Sequence, residues 1–322
     1  MPLRVAVLGA TGFGRHHAKW FASLGCEVVG FLGSSPASVS STATALAEAF
    51  GFDGRGYSSL AELLATERPD AVSVCTPPAL HGAHARAALE AGCSVLCEKP
   101  FVLRPGAGAE ALVAEARGLV ATAGERGAAL AVNTQYAAAA EVYREVVGEL
   151  PAAPGRFVAE MTSKLKTPGP RGREIWVDLM PHTLSMLLAV VPDARLRAGS
   201  VCARIGATES EAAFDVDTGG GVCGVSMRVA KLPEAPFVRR FGVDDSIADV
   251  GTRPDAEGVY RGYVRVGERE RECDDFMRTS IERFCAAAGG EGRPLVDGET
   301  AVQNLELMLA TLEAAEGSAQ GG

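Results

Sequence analysis

Arg4-Val5-Ala6-Val7-Leu8-Gly9-Ala10-Thr11-Gly12-Phe13-Gly14 decides how the first third of the chain is read. A short apolar run, the signature of a buried strand, ends at a glycine turn, and Arg15 to Leu24 follows with helical spacing. Strand, turn and helix come in the order a phosphate cradle needs. Gly9 permits the tight turn, missing side chains let backbone N–H groups approach a pyrophosphate, and the helix N-terminus offers partial positive charge. The spacing is G-x-x-G-x-G, with Thr11 where the second glycine of G-x-G-x-x-G would fall, so the motif alone reads equally as a turn.

Its surroundings strengthen it. Strand patterns at 27–32, 71–75, 94–97 and 128–132 alternate with helical ones at 38–50, 59–65, 79–91 and 109–123. Such a βαβ series predicts a doubly wound parallel sheet, hence an α/β dinucleotide-binding domain over 1–134. The second strand ends Phe31-Leu32-Gly33-Ser34-Ser35, without the carboxylate that holds the ribose of NAD and would repel a 2′-phosphate. Hydroxyls at Ser34 and Ser35, with Arg15 nearby, predict NADP in preference to NAD. Thr76-Pro77-Pro78, leading to His81, is either a rigid wall for a nicotinamide ring or an ordinary loop. Ser94-Val95-Leu96-Cys97-Glu98-Lys99-Pro100 fixes a cationic amine at a strand's carboxyl end, where open parallel sheets bind their ligands. From these residues alone, Glu98-Lys99 could also be a solvated pair.

After Tyr136 the pattern changes. A helix at 138–147 is followed by strand patterns at 157–166, 195–205, 211–216, 222–230, 237–243 and 259–266, joined without helices. This predicts an α+β domain over 135–322 with a large, mostly antiparallel open sheet, and leaves the C-terminal helix able to pack back on the first domain. An apolar outer face on that sheet would make it an oligomer surface. Within this half, Trp176-Val177-Asp178-Leu179-Met180-Pro181-His182 opens a helix running to about Val190, with Asp178 as its N-cap and Pro181 in the first turn. His182, four residues on, shares a helical face with Asp178. A carboxylate and an imidazole so placed can trade a proton with a substrate hydroxyl, or be a cap and a core histidine.

Bulk properties narrow the field. The chain has 322 residues, room for two domains, and 31 Lys plus Arg against 40 Asp plus Glu give a charge of −9, which disfavours nucleic acid and anionic membrane as partners. No signal-peptide pattern opens the chain and no long uncharged apolar run occurs, so a cytoplasmic protein is expected. The eight cysteines read as small buried hydrophobes. Cys93 and Cys97, if they flank one extended strand, stand roughly 13 Å apart, so no metal site is expected.

Together, the run Gly9 to Gly14 with His17, the run Thr76-Pro77-Pro78-Ala79-Leu80-His81 continuing to Cys97-Glu98-Lys99-Pro100, and Asp178-x-x-x-His182 resemble the Gfo/Idh/MocA family, the relatives of glucose-fructose oxidoreductase and inositol dehydrogenase. The resemblance implies a Rossmann domain followed by a domain whose sheet builds homodimers or homotetramers. It implies an NAD(P)-dependent oxidoreductase moving a hydride to or from a secondary alcohol, ketone or imine of a small polar, sugar- or cyclitol-like substrate. Lys99 would hold the reacting oxygen, His182 would carry the proton, and Asp178 would orient His182 or bind substrate. Gly9, Thr11, Gly12, Phe13, Gly14, Arg15, Ser34, Ser35, Thr76, Pro77, His81 and Glu98 would line the cofactor, Glu98 with a largely structural role, and the Lys99-Pro100 bond would be cis. One departure stands out: family members often carry an arginine and a proline after the strand ending near Asn133, where this chain reads Gln135-Tyr136-Ala137-Ala138. Tyr136, Lys164, Trp176, Arg171 and Arg173 are the substitutes considered for gripping substrate. Two rival readings are an enzyme without net redox change, such as an epimerase or glycosidase, and a nucleotide-sensing regulator without turnover.

Overall fold

The computed structural model describes residues 1–166, 169, 172–191 and 193–320, with side chains to 317. The chain forms two compact units, Met1–Asn133 with Arg278–Val302, and Thr134–Met277 with Gln303 onward. The first crossing falls at Asn133, and two more return 278–302 to the first unit.

In the first unit, β1 (Arg4–Leu8), β2 (Glu27–Leu32), β3 (Arg55–Tyr57), β4 (Ala71–Val74), β5 (Ser94–Glu98) and β6 (Leu130–Asn133) make one sheet in the order β3-β2-β1-β4-β5-β6. Every pairing in it is parallel. The strands are joined through α1 (Phe13–Ser23), α2 (Pro36–Phe50), α3 (Leu60–Glu67), α4 (His81–Glu90) and α5 (Ala109–Arg126). Helices on the sheet faces explain why Val5 to Leu8 and the whole of β4 are buried without alternation. The strand order reverses direction between β1 and β4, the switch point at which such sheets open a crevice. β3 escapes a pattern search because it is three residues with a glycine at its centre; a Cβ on Gly56 would strike the Phe31 ring at 2.6 Å. The returning segment meets the sheet's outer strand: Val132 donates its N–H to the Val296 carbonyl at 3.0 Å, and Ala131 bridges Asp297.

The second unit begins with α6 (Ala139–Val147), β7 (Arg156–Lys164) and α7 (Gly172–Val190). It continues through β8 (Arg195–Leu196), β9 (Cys202–Ile205), β10 (Glu209–Thr218), β11 (Gly221–Leu232), β12 (Arg239–Val243), β13 (Ser246–Pro254), β14 (Tyr260–Val266) and β15 (Arg269–Cys273). Helices α8 (Phe276–Ala288) and α9 (Gly298–Gln320) close the chain. The sheet runs β15-β14-β13-β12-β7-β11-β10-β8, with β9 beside β10, and among the described residues only the β7–β11 pair is parallel. Phe157, Ala159 and Met161 of β7 and Cys223, Val225, Met227 and Val229 of β11 are buried on the face covered by α7.

The opposite face is not the apolar one expected from sequence. Glu209, Arg228, Glu160, Arg240, Asp249 and Arg265 form a chain of ion pairs across β10, β11, β7, β12, β13 and β14. The alternation that buries one face leaves these charged positions on the other.

α7 departs from expectation at its start. It begins at Gly172, six positions before Asp178, so Asp178 lies inside the helix rather than capping it, and Pro181 is an interior proline. Its missing N–H leaves the Val177 carbonyl without its intrahelical donor. The polar groups of this region are tied elsewhere: Asn304 of α9 donates to the Pro181 carbonyl at 2.8 Å and to the Ser185 hydroxyl at 2.9 Å, and Ser185 donates to Thr134 at 2.6 Å. Among the described residues no helix is long and apolar enough to cross a membrane.

Candidate functional site

The carboxyl end of β1 turns at Gly9, whose φ of 82° suits glycine and where a Cβ would press within 2.8 Å of the Cys75 carbonyl. A Cβ on Gly14 would come within 2.1 Å of the Gly9 carbonyl, so α1 starts hard against the turn. Above Gly12, by contrast, a Cβ would meet nothing within 4 Å. Gly12 precedes the first residue of α1, no side chain caps that end, and no acidic residue stands in its first turn. Open space at a helix N-terminus that no side chain caps fits a dinucleotide pyrophosphate. Thr11, Phe13 and Arg15 are exposed around it, Phe13 to 59%, unusual for a large apolar side chain.

At the end of β2 there is no carboxylate. Ser35 caps α2, its hydroxyl accepting from the Ser38 N–H at 3.2 Å while Ser38 accepts from the Ser35 N–H at 3.0 Å. The capping box occupies Ser35 and leaves Ser34 exposed.

Behind the cradle lies a polar cluster built from four strands and helices. His17 of α1 is fully buried; its Nδ1 is 2.9 Å from the Ser73 hydroxyl and its Nε2 3.0 Å from Oε1 of Glu98. The Asn133 amide donates to the same oxygen at 2.6 Å, from the position on β6 in register with Glu98. Asn133 Nδ2 also lies 3.0 Å from His17 Nε2, but both nitrogens donate to Glu98, so they are neighbours and not a bonded pair. Burial disfavours charge on His17, yet the Cys75 sulfur and the Glu98 carboxylate outweigh it and raise its pKa to about 10. Burial also works against Glu98, and the bond and charge of His17, the charge of Lys99 and the Asn133 bond hold its carboxyl down to about 2. One oxygen of Glu98 is thus held by both His17 and Asn133. Lys99 follows directly at the carboxyl end of β5, and the Lys99-Pro100 peptide is cis.

His81 also has other work than contacting a cofactor. It is 1% exposed, with one ring nitrogen 2.8 Å from the Pro100 carbonyl and the other 2.8 Å from that of Thr76. Carbonyls only accept, so both bonds at once would need a doubly protonated ring. Burial, the larger influence, lowers its pKa, and the neutral ring donates to one carbonyl at a time. His81 fastens the loop after β4 to the loop after β5. Thr76 faces His84 at 3.1 Å, while Pro77 is exposed.

In the second unit, Asp178 pairs with Lys231 of β11 at 2.8 Å. His182, one turn on, packs against the Tyr136 ring in a T-shaped contact, centroids 5.3 Å apart and planes at 79°. Tyr136 also touches Phe276 at 5.9 Å and carries the Arg239 guanidinium 5.4 Å over its ring. Two other sequence candidates do not belong here. Trp176 is fully buried, its indole N–H directed at the Met308 carbonyl at 3.4 Å, and so is a core residue. Lys164 is exposed and, by strand alternation, lies on the face of β7 opposite Met161. Arg173 pairs with Glu316, and Arg171 lies outside the described residues. Ser73, Asn133, Lys231 and Arg239 were not foreseen. A polar residue closing an apolar strand, as Asn133 does, was the available signal for the first unit. For the second, the signal was a cation on the buried parity of a strand, which needs the register to be recognised.

Comparison with known proteins bears on both units. Residues 3–134 match the model of the oxidoreductase family with an NAD-binding Rossmann fold, GFO_IDH_MocA. The chain is 42% identical over 106 residues to a D-glucoside 3-dehydrogenase of Escherichia coli K12, a stretch that is 32% of this chain and 29% of that relative. It is 29% identical over 314 residues to a UDP-N-acetylglucosamine 3-dehydrogenase of Acidithiobacillus ferrooxidans, covering 89% of this chain and 93% of the relative. The crystal structure of that dehydrogenase superposes with a TM-score of 0.73 at 26% identity, over 98% of this chain and 99% of the other.

Proposed function

We propose that the chain, whose residues 3–134 match the NAD-binding Rossmann model of the Gfo/Idh/MocA oxidoreductases, is an oxidoreductase of that kind and interconverts a secondary alcohol and a ketone on a sugar-like substrate. NAD(P), when bound, supplies or accepts the hydride. The rest of the chemistry falls to the chain's own residues. Gly9 to Gly14 and the N-terminus of α1 hold the pyrophosphate, with Phe13, Arg15, Ser34, Thr76 and Pro77 as further contacts. The absence of a carboxylate at the end of β2 favours NADP, and a kcat/KM much higher with NADH than with NADPH would overturn that preference. Lys99 hydrogen-bonds the reacting oxygen and stabilises negative charge on it. His182 exchanges the proton of that oxygen, its ring braced by Tyr136, and Asp178 keeps the helical face next to it acidic and paired.

One observation carries the reading: Glu98 is pinned by His17 and Asn133, which fixes the backbone from which Lys99 leaves the strand. The sugar class follows from the relatives' substrates. Lys99→Ala is expected to retain nucleotide affinity while kcat falls by about 10² or more. Normal turnover by that variant would sink the assignment. Net reduction of NAD(P)+ at 340 nm separates this reading from a cofactor-retaining epimerase or glycosidase.

A further inference from the structure

No arginine follows β6 directly, where the chain reads Gln135-Tyr136-Ala137-Ala138, yet β12 carries a guanidinium to the Tyr136 ring. Arg239 opens β12 in register with Met161 of β7, and shares strand parity with the buried Phe241 and Val243. It therefore lies on the α7 side of the sheet, half-buried, with its charge over the Tyr136 ring that packs against His182. Lys231, on the same side at the level of Ser163, is already neutralised by Asp178. Neighbouring strands treat their arginines differently. Arg228, Arg240, Arg253, Arg261 and Arg265 each have a carboxylate within 4.0 Å, whereas Arg239 has none among the described residues.

A guanidinium partly removed from water costs free energy unless an anion answers it. Its planar fork suits two oxygens of one carboxylate or phosphate, and stacking on Tyr136 fixes the fork's plane while leaving its N–H edge free to donate. We propose that Arg239 is a specificity-determining residue that binds an anionic group of the substrate, a carboxylate or a phosphate, with Tyr136 as its platform. The substrate is then a charged sugar, a sugar acid or a phosphorylated or nucleotidyl sugar, rather than a neutral hexose or cyclitol. This rests on the reading of the chain as a sugar oxidoreductase, and it reassigns the substrate grip from Lys164 and Trp176 to Arg239.

The test is calorimetric titration of the full chain, with NADP+ or NAD+ present, using glucose, glucuronate, glucose 6-phosphate and UDP-glucose. Glucose, glucuronate and glucose 6-phosphate differ only in what C6 carries, and UDP-glucose moves the phosphates to the anomeric carbon. The wild type should bind at least one anionic probe about tenfold or more tightly than glucose. Arg239→Gln should abolish that preference without weakening glucose, and Arg239→Lys should restore part of it, which also shows that the site still folds. A preference confined to glucuronate identifies a sugar acid, and one confined to the phosphates a phosphorylated sugar; both support the assignment. No preference for any anion in the wild type, or a preference that survives in Arg239→Gln, overturns it. Because binding is read without turnover, absence of NAD(P)H formation with every probe would count against the dehydrogenase reading alone.

Discussion

The two charged clusters of this protein are built on opposite terms. In the first unit His17, Glu98, Asn133 and Ser73 are closed in, each buried charge answered by a bonded partner. In the second, the Asp178 and Lys231 side chains are 39% and 20% exposed, and His182, Tyr136 and Arg239 meet through ring faces and edges. A closed network gains rigidity because moving any member leaves a buried charge without its counter-charge. Ring contacts and a half-exposed pair tolerate small displacements, so they can re-form around a ligand. The first cluster is thus built to hold a fixed position, and the second to adapt.

Breaking the closed cluster should have the largest effect. Glu98→Ala leaves the His17 charge buried and unanswered, and unfolding free energy should fall by about 3 kcal/mol or more in denaturant titration. A loss below about 1 kcal/mol would mean that the cluster is not rigid in solution. The same pair sets a pH window. His17 is raised from 6.5 to about 10, so its contribution is complete below 6.5 and is lost as pH climbs through 10. Glu98 is lowered from 4.5 to about 2, so its contribution is complete above 4.5 and is lost as pH falls through 2. Thermal stability attributable to the pair should therefore plateau between 4.5 and 6.5 and decline on both sides. In Glu98→Gln the alkaline decline should become shallower without vanishing, because Cys75 also raises the His17 pKa, as measured by melting temperature against pH.

Smaller effects sharpen the contrast from the other side. Trp176→Phe should cost about 1–2 kcal/mol of stability, through lost packing and an unmade indole bond, while leaving KM within about twofold. A KM change without a stability change would return Trp176 to the substrate site. Asp178→Asn should cost under about 1 kcal/mol, since its pair with Lys231 is partly solvated. Its kcat should nevertheless fall by about tenfold or more, giving an activity loss out of proportion to the stability loss.

What could be read in the sequence follows the same division. Local order along the chain announces the first unit: apolar runs, the Gly9 to Gly14 turn and the Thr76-Pro77-Pro78 loop each carry their meaning within a few residues. Glu98 and Lys99 were legible for the same reason, and His17 entered through the resemblance. Asn133 became part of the cluster only through the register of β6 on β5, a long-range fact. Nearly everything particular to the second site has that character. Lys231 and Arg239 flank β7 opposite Ser163 and Met161, 68 and 78 positions away in sequence, because parallel and antiparallel pairing bring their inward positions to one end. The start of α7 was hidden by Gly169-Pro170-Arg171-Gly172, whose composition suggests a loop throughout, and by Pro181, which normally marks a first turn. The sequence around His81 did not show that both its nitrogens face backbone carbonyls, a contact that joins two loops distant in sequence.

The meeting of Val132 and Ala131 with Val296 and Asp297 bears on how the gene can be cut. β6 ends the six-stranded sheet, and residues near 296 cover part of its outer hydrogen-bonding edge. A fragment stopped at residue 134 would carry every strand of the parallel sheet, yet display β6 bare, inviting the same edge of another copy to join it. The nucleotide-binding half is therefore not a cassette to be excised and fused elsewhere at will. Its last guard is encoded some 160 residues downstream of the edge it protects.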